Sequence, residues 1–192
     1  MMHRFVDLLR RFRTEERGSQ TVEFVLVLPL LLWAIGALFV FVEAFALRSV
    51  STKASYTVAD LLSRQTDPVD QDLLDGTAAV LNFLTGSQTD GRLRVTVLRC
   101  TANCDAADRT LAIDWSHAAG DMTPLTSADL TTAEYIARIP DTRLGDRLLM
   151  VETEVDFHPP LGFGLSDRTF ETMMITRPRF APHLCWESCV GV

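Results

Sequence analysis

Four cysteines carry the most definite chemistry in this sequence. Cys100 and Cys104 form one C-x3-C pair, and Cys185 and Cys189 form another. Paired thiols either oxidise to disulfides or bind a soft metal as thiolates. Two bridges among four cysteines allow three pairings. Local pairing within each C-x3-C is the simplest, and cross-pairing stays open. The rival is a structural zinc held by all four thiolates, because that ion accepts ligand pairs at such spacing. The sequence has no C-x-x-C-H haem motif.

The remaining reactive side chains give little support to catalysis. G-x-S-x-G, H-E-x-x-H, P-loop and dinucleotide-binding patterns are all missing. The histidines are His3, His117, His158 and His183. His117 follows Trp115 in strand-like sequence, and His158 precedes Pro159-Pro160 and marks a strand end, so both read as structural. Asp67, Asp70, Asp72 and Asp75 cluster at helical spacing as a solvated face, without the ligand order of a calcium loop. Gly162-Phe163-Gly164 is a turn and not a phosphate loop, because no Gly-Lys and helix start follow it. Trp186 lies between two cysteines, either exposed for binding or packed on its own disulfide. No enzyme activity, cofactor, metal or small-molecule substrate is expected.

What positions the cysteines is decided near the N-terminus. Residues 24–42 form a run of 19 without a charge, containing Pro29, Trp33 and Gly36. As a helix this run rises about 28 Å, close to a hydrocarbon core of about 30 Å. Five arginines, Arg4, Arg10, Arg11, Arg13 and Arg17, stand against three acids in residues 1–17. Positive flanks stay cytoplasmic. The expected organisation is a basic cytoplasmic leader over residues 1–18, a transmembrane helix over 19–47, and an exported domain over 48–192. Phe5, Leu8, Leu9 and Phe12 lie on one helical face, suited to the inner leaflet. Export to an oxidising compartment favours disulfides over zinc. Residues 48–192 carry 13 basic and 20 acidic side chains. That excess of negative charge argues against nucleic acid as a partner.

The exported segment reads as α+β. Leu47, Val50, Ala54, Val58 and Leu61 extend the membrane helix as an amphipathic stripe, giving one helix over residues 22–65. Asp67-Pro68 reads as the start of a second, short helix, with Asp67 as N-cap, a stripe of Leu73, Thr77, Val80, Leu81 and Leu84, and a stop at Gly86. Strands follow. Leu93, Val95 and Val97 alternate with Arg92, Arg94 and Thr96, and Leu111, Ile113 and Trp115 repeat the pattern. Residues 148–157 place Leu149, Val151, Val155 and Phe157 opposite Glu152, Glu154 and Asp156. Residues 169–177 form a last strand, and 128–139 a short helix. The expected fold is a long N-terminal helix, membrane-spanning in its first half, packed on a small antiparallel sheet.

The stretch Arg17-Gly18-Ser19-Gln20-Thr21-Val22-Glu23-Phe24 stands at the membrane boundary. An acid deep in lipid costs about 2 kcal/mol or more, so Glu23 needs an explanation. One is a helix-start acid at the headgroups, with Ser19 as N-cap. A second is a conventional signal peptide cut after Ala44-Phe45-Ala46, although the apolar run is long for one and Glu43 adjoins the site. The third is a prepilin signal. The stretch resembles the type IV prepilin motif, in which a peptidase cuts after the glycine, here Gly18, and leaves the new amine on Ser19. With the Leu-Pro that follows, it is similar to the TadE-like family of minor pilins and pseudopilins of the Flp/Tad pilus system. The similarity is strongest over residues 15–65. Weaker echoes are Gly145-Asp146 leading into a strand that ends near Pro159, and Arg177-Pro178-Arg179-Phe180. The resemblance implies a pilin-like fold and processing at Gly18 and Ser19 by an inner-membrane prepilin peptidase. It also implies partnership with a major Flp pilin and a second pseudopilin in pilus assembly. Glu23 would then pair with the Ser19 ammonium of a neighbouring subunit. The alternative is a single-pass membrane-anchored envelope protein whose exported domain binds a ligand or is enzymatic, unrelated to pili.

Overall fold

The computed structural model describes residues 19–86, 91–106 and 108–189. The leader, including Gly18, lies outside them. Helix α1 spans Ser19–Ser63, α2 Gln71–Thr85, and α3 Ala133–Arg138. Strand β1 spans Arg92–Ala102, β2 Thr110–Ala119, β3 Arg147–Phe157 and β4 Arg168–Thr176. The strands form one sheet in the order β2-β1-β3-β4, antiparallel throughout. The chain is α+β, as its patterning predicts. Its described residues divide into two compact units, one of residues up to Glu43 with Pro159–Leu165, the other of the remaining described residues from Ala44 onward.

In the larger unit both faces of the sheet are covered. Leu93, Val95 and Val97 of β1 join Leu149 and Val151 of β3 in a core with Val58, Ala59 and Leu62 of α1 and Leu74 and Ala78 of α2. The alternation of β1 and β3 therefore points its apolar set at the helices. On the opposite face Leu98, Leu148 and Met150 pack with Leu125, Leu130 and Ile139, all three from the β2–β3 connection. Val97 and Leu98 are buried in succession because they point to opposite faces of the sheet and both faces are covered.

The buried stripe of α1 is rotated from the expected one. Ser51, Ala54, Ser55, Val58, Ala59 and Leu62 are buried, whereas Val50 and Leu61 are exposed. Small side chains let the helix approach the sheet closely. Ser55 Oγ lies 2.6 Å from Thr153 Oγ1 across that interface. Hydrophobic periodicity overlooks serines, two of which donate here to helix carbonyls: Ser55 Oγ to Ser51 O and Ser63 Oγ to Asp60 O, each at 2.8 Å. The second helix is corrected in the same way. Its buried residues are Leu74, Thr77, Ala78 and Leu81, with Val80 and Leu84 facing out. Its N-cap is Asp70, whose carboxylate accepts the Leu73 N–H at 2.8 Å, not Asp67. The later start has a cause in the backbone. Val69 is extended and pairs with the C-terminal segment, its N–H donating to Cys185 O and its carbonyl accepting from Glu187 N–H, both at 2.8 Å. The stop at Gly86 is as expected, with φ at 82°. The expected helix over 128–139 is broken, a 3-10 turn at Asp129–Thr131 followed by α3.

The polar face of β1 and β3 is organised by cross-strand ion pairs. Arg94 is directly opposite Glu152, and Arg92 opposite Glu154. Arg94 Nε donates to Glu152 at 2.7 Å and Nη2 to the Tyr135 hydroxyl at 2.8 Å, which in turn donates to Glu152 at 2.9 Å. Burial by itself works against the Arg94 charge, but the hydrogen bond and charge of Glu152 more than offset it and raise its pKa. Arg92 forks onto Asp156 at 3.0 and 3.1 Å. Asp156 is held below the ordinary carboxylate range chiefly by the Thr169 hydroxyl, then by Arg92.

Both members of the Arg94–Glu152 pair are nearly buried, with side chains 13% and 11% exposed. Removing one leaves the other uncompensated. Arg94→Met should destabilise the folded protein by about 3 kcal/mol, and Arg94→Met with Glu152→Leu should recover much of that loss. Urea unfolding of the full chain in detergent measures both. Equal destabilisation by the single and double variants would show that the pair is not an energetic unit.

Candidate assembly interface and aromatic cleft

Two features of the described residues have chemistry left over after folding. The first is the N-terminal half of α1. Fourteen large apolar side chains between Val22 and Val42 are exposed, including Phe24 at 63%, Leu26 at 70% and Leu30 at 69%. Monomeric soluble proteins rarely leave so continuous an apolar surface in water. Transfer out of water is worth about 1.5–3 kcal/mol for each fully buried Val, Leu, Ile or Phe. The helix is long and apolar enough to cross a membrane. It runs through Pro29 without interruption, although proline lacks the N–H of a normal turn.

Ser19 opens the described helix, and Glu23 follows one turn later, past the first turn. Glu23 is exposed, and among the described residues it has no ion-pair partner within its own chain. Of the sequence-derived sites, Ser19 and Glu23 thus fall on one continuous helix, while Gly18 lies outside the described residues. The helix continues without a break past Ala44-Phe45-Ala46, the small-residue site of the signal-peptide reading.

The second feature is an aromatic cleft in the larger unit. β2 presents Trp115 and His117 two residues apart on one face, opposite Val97 and Val95 of β1. Trp186 lies flat on the His117 ring, with centroids 3.4 Å apart and planes 6° from parallel, and tilts against Trp115 at 5.4 Å. Trp115 Nε1 donates to Leu184 O at 2.7 Å. These contacts, with the Val69 pairing, seat the C-terminal segment against the sheet edge. Trp186 therefore packs on the β2 histidine and tryptophan. Neither contact was legible in the sequence, which gives no sign that position 186 returns to position 117. A cleft of about 360 Å³ adjoins them, lined by Arg99, Asp114, Trp115, His183 and Trp186 among others. Arg99 and Arg147 both pair with Asp114 there, at 3.3 and 2.6 Å.

Each C-x3-C pair is at disulfide distance. The sulfurs of Cys100 and Cys104 are 2.04 Å apart, and those of Cys185 and Cys189 2.00 Å apart. Both pairings are the local ones. The first closes the loop after β1, and the second the segment that carries Trp186. His183 falls within 4.8 Å of the second pair, while Cys100 and Cys104 are not part of that group. The four thiols do not converge on one ion site as a tetrathiolate zinc requires.

Burial lowers the His117 pKa, and the Glu187 carboxylate only partly counters this. A histidine with a folded pKa below its unfolded value binds its proton more weakly when folded. Its contribution to stability is therefore present above the unfolded pKa of about 6.5 and declines as pH falls through that value. An NMR titration should place the His117 midpoint below about 6.5, and His117→Phe should flatten the pH dependence of stability between about pH 5 and 7. A midpoint above that of a free histidine would contradict the stacked arrangement. Mass spectrometry of unreduced protein should detect no alkylatable thiol, and four free thiols would exclude both bridges. No protein-family model, curated protein or solved structure matches this chain.

Proposed function

We propose that this chain is a minor pilin or pseudopilin-like subunit of a Flp/Tad-type pilus, anchored by residues 24–42 in the inner membrane. Its leader is cytoplasmic and its C-terminal domain faces the periplasm or belongs to an extracellular filament. The observation that carries the reading is Glu23. It is an acid one turn into α1, directly before the outward-facing, charge-free stretch of residues 24–42, and five residues after Gly18 in a prepilin-like motif. A lone acid in such a setting is costly, and a neighbour's Ser19 ammonium would offset the cost while setting the axial register of packed helices. The exported α+β unit supports the reading, because a long helix with an antiparallel sheet on its C-terminal half is the expected pilin-like plan. A prepilin peptidase acts on the chain after Gly18, and a major Flp pilin and a second pseudopilin are its partners. No catalytic role is assigned.

The cleft beside Trp186 favours a second reading, an anchored envelope protein whose exported domain binds a ligand independently of pili. The two readings separate at the N-terminus, since only a pilin requires cleavage and helix packing.

Co-expression with the cognate peptidase should yield a chain starting at Ser19, and Gly18→Leu should block the cut sterically. Glu23→Ala should still insert, because alanine favours helix and lengthens the apolar run. It should lose subunit association, since breaking a buried pair costs about 3–5 kcal/mol. N-terminal sequencing and crosslinking to co-expressed pilins read the two effects. A mature terminus at Leu47 would establish a conventional signal peptide, and an uncut chain would return Glu23 to the headgroups as a helix-start acid. A periplasm-active reporter fused after Val192 should be active, and activity of a cytoplasmic reporter instead would reverse the orientation.

A further inference from the structure

We infer that the β3–β4 loop, residues 159–165, is a second membrane contact that enters the outer leaflet beside α1. The inference rests on the membrane reading of α1 given above. The loop reads Pro-Pro-Leu-Gly-Phe-Gly-Leu, without an ionisable side chain. It belongs to the same compact unit as the described part of α1 up to Glu43. Its tip reaches the apolar stretch of the helix. A Cβ placed on Gly36 would lie 2.9 Å from the Phe163 ring, so the missing side chain of Gly36 makes the seat for that ring. About a turn and a half further along, the Phe41 ring comes within 3.8 Å of the Cβ position of Gly164.

Gly36 is six residues before Val42, the last uncharged residue of the run. At about 1.5 Å per residue, Phe163 therefore sits about 9 Å inside the apolar boundary. That depth matches the shallow insertion of interfacial segments, about 5–10 Å into the headgroup and acyl boundary. Chain direction agrees with it. The loop departs from and returns to the exported sheet, so it can reach the bilayer from the outer side only. Irregular backbone is costly in hydrocarbon unless its polar groups are satisfied. Here the Phe163 N–H donates back to Leu161 O at 2.8 Å, and Gly164, at a φ of 82°, turns the chain out again. His158 and Asp167, 3.3 Å apart, close the base with polar groups where the strands resume. Leu161 is 44% exposed, so it offers its side chain to whatever surrounds the unit. A lipid interface fits an apolar, uncharged tip with a polar base.

The test uses the full-length chain, with its four cysteines kept oxidised, in vesicles of phosphatidylethanolamine and phosphatidylglycerol. A cysteine replaces Leu161, Phe39 or Thr131 in turn and carries an environment-sensitive fluorophore. The lipids carry spin labels at a shallow or a deep acyl position. The Leu161→Cys probe should be quenched at least twofold by shallow-labelled lipid and less by deep-labelled lipid. The Phe39→Cys probe should be quenched as a residue of the anchor, and the Thr131→Cys probe should not respond. A Leu161→Cys probe that behaves like Thr131→Cys, while Phe39→Cys is quenched, would overturn the loop insertion and leave the anchor standing. Loss of quenching at Phe39→Cys as well would overturn both.

Discussion

The apolar half of α1 has to be taken out of water by something other than its own chain, and this constraint governs much else. Residues 22–42 expose leucine, valine, phenylalanine and tryptophan on all sides of the helix. A helix buried in a soluble core would have partner side chains around it, and this one has few. Lipid and the apolar faces of neighbouring helices would both meet the need. In either surrounding a charge is expensive. That is why Glu23 attracts more functional weight than any of the other acids, most of which lie on solvated or ion-paired surfaces.

From Ala44 onward the same helix obeys a different rule. There it is a building element of a folded domain, and its buried face is made of serines and alanines as much as of valine and leucine. The choice of small residues permits close approach to β3, where Ser55 and Thr153 meet at 2.6 Å. The sheet then carries two kinds of side chain on β1 and β3. One face is apolar against α1 and α2. The other has an apolar end under the β2–β3 connection and a polar end built on Arg92, Arg94, Glu152, Glu154 and Asp156. Cross-strand placement makes these pairs nearly free of rearrangement, since register alone brings opposite charges together.

The C-terminal segment is held by three independent means. Val69 pairs with it through the backbone, Trp186 stacks on His117, and Cys185 is bridged to Cys189. A bridge over so short a loop restricts the unfolded chain less than a long one and is worth about 2 kcal/mol. Its larger effect is local, keeping Trp186 in the turn that presents it to β2. The result is a small aromatic cleft at the sheet edge.

Much of the architecture was legible in the sequence, and the reasons are local. A charge-free run of 19 residues defines the apolar helix by length alone, the alternation of Leu93, Val95 and Val97 with arginines defines a two-faced strand, and Gly86 ends α2 because only glycine takes that φ without strain. The motif from Arg17 to Phe24 is likewise a property of the sequence. What the tertiary structure decided is contact between distant positions. Val50 and Leu61 looked like core by periodicity, but close packing selected the serine and alanine face beside them. Asp67-Pro68 had the chemistry of a helix start, but Val69 was drawn into pairing with Cys185 and Glu187, so Asp70 became the cap. Trp186 met His117, and Phe163 met Gly36. Hydrophobic patterning records how much each residue gains by leaving water; which surface receives it depends on shape, hydrogen-bond register and chain connectivity, and those are set only when the whole domain closes.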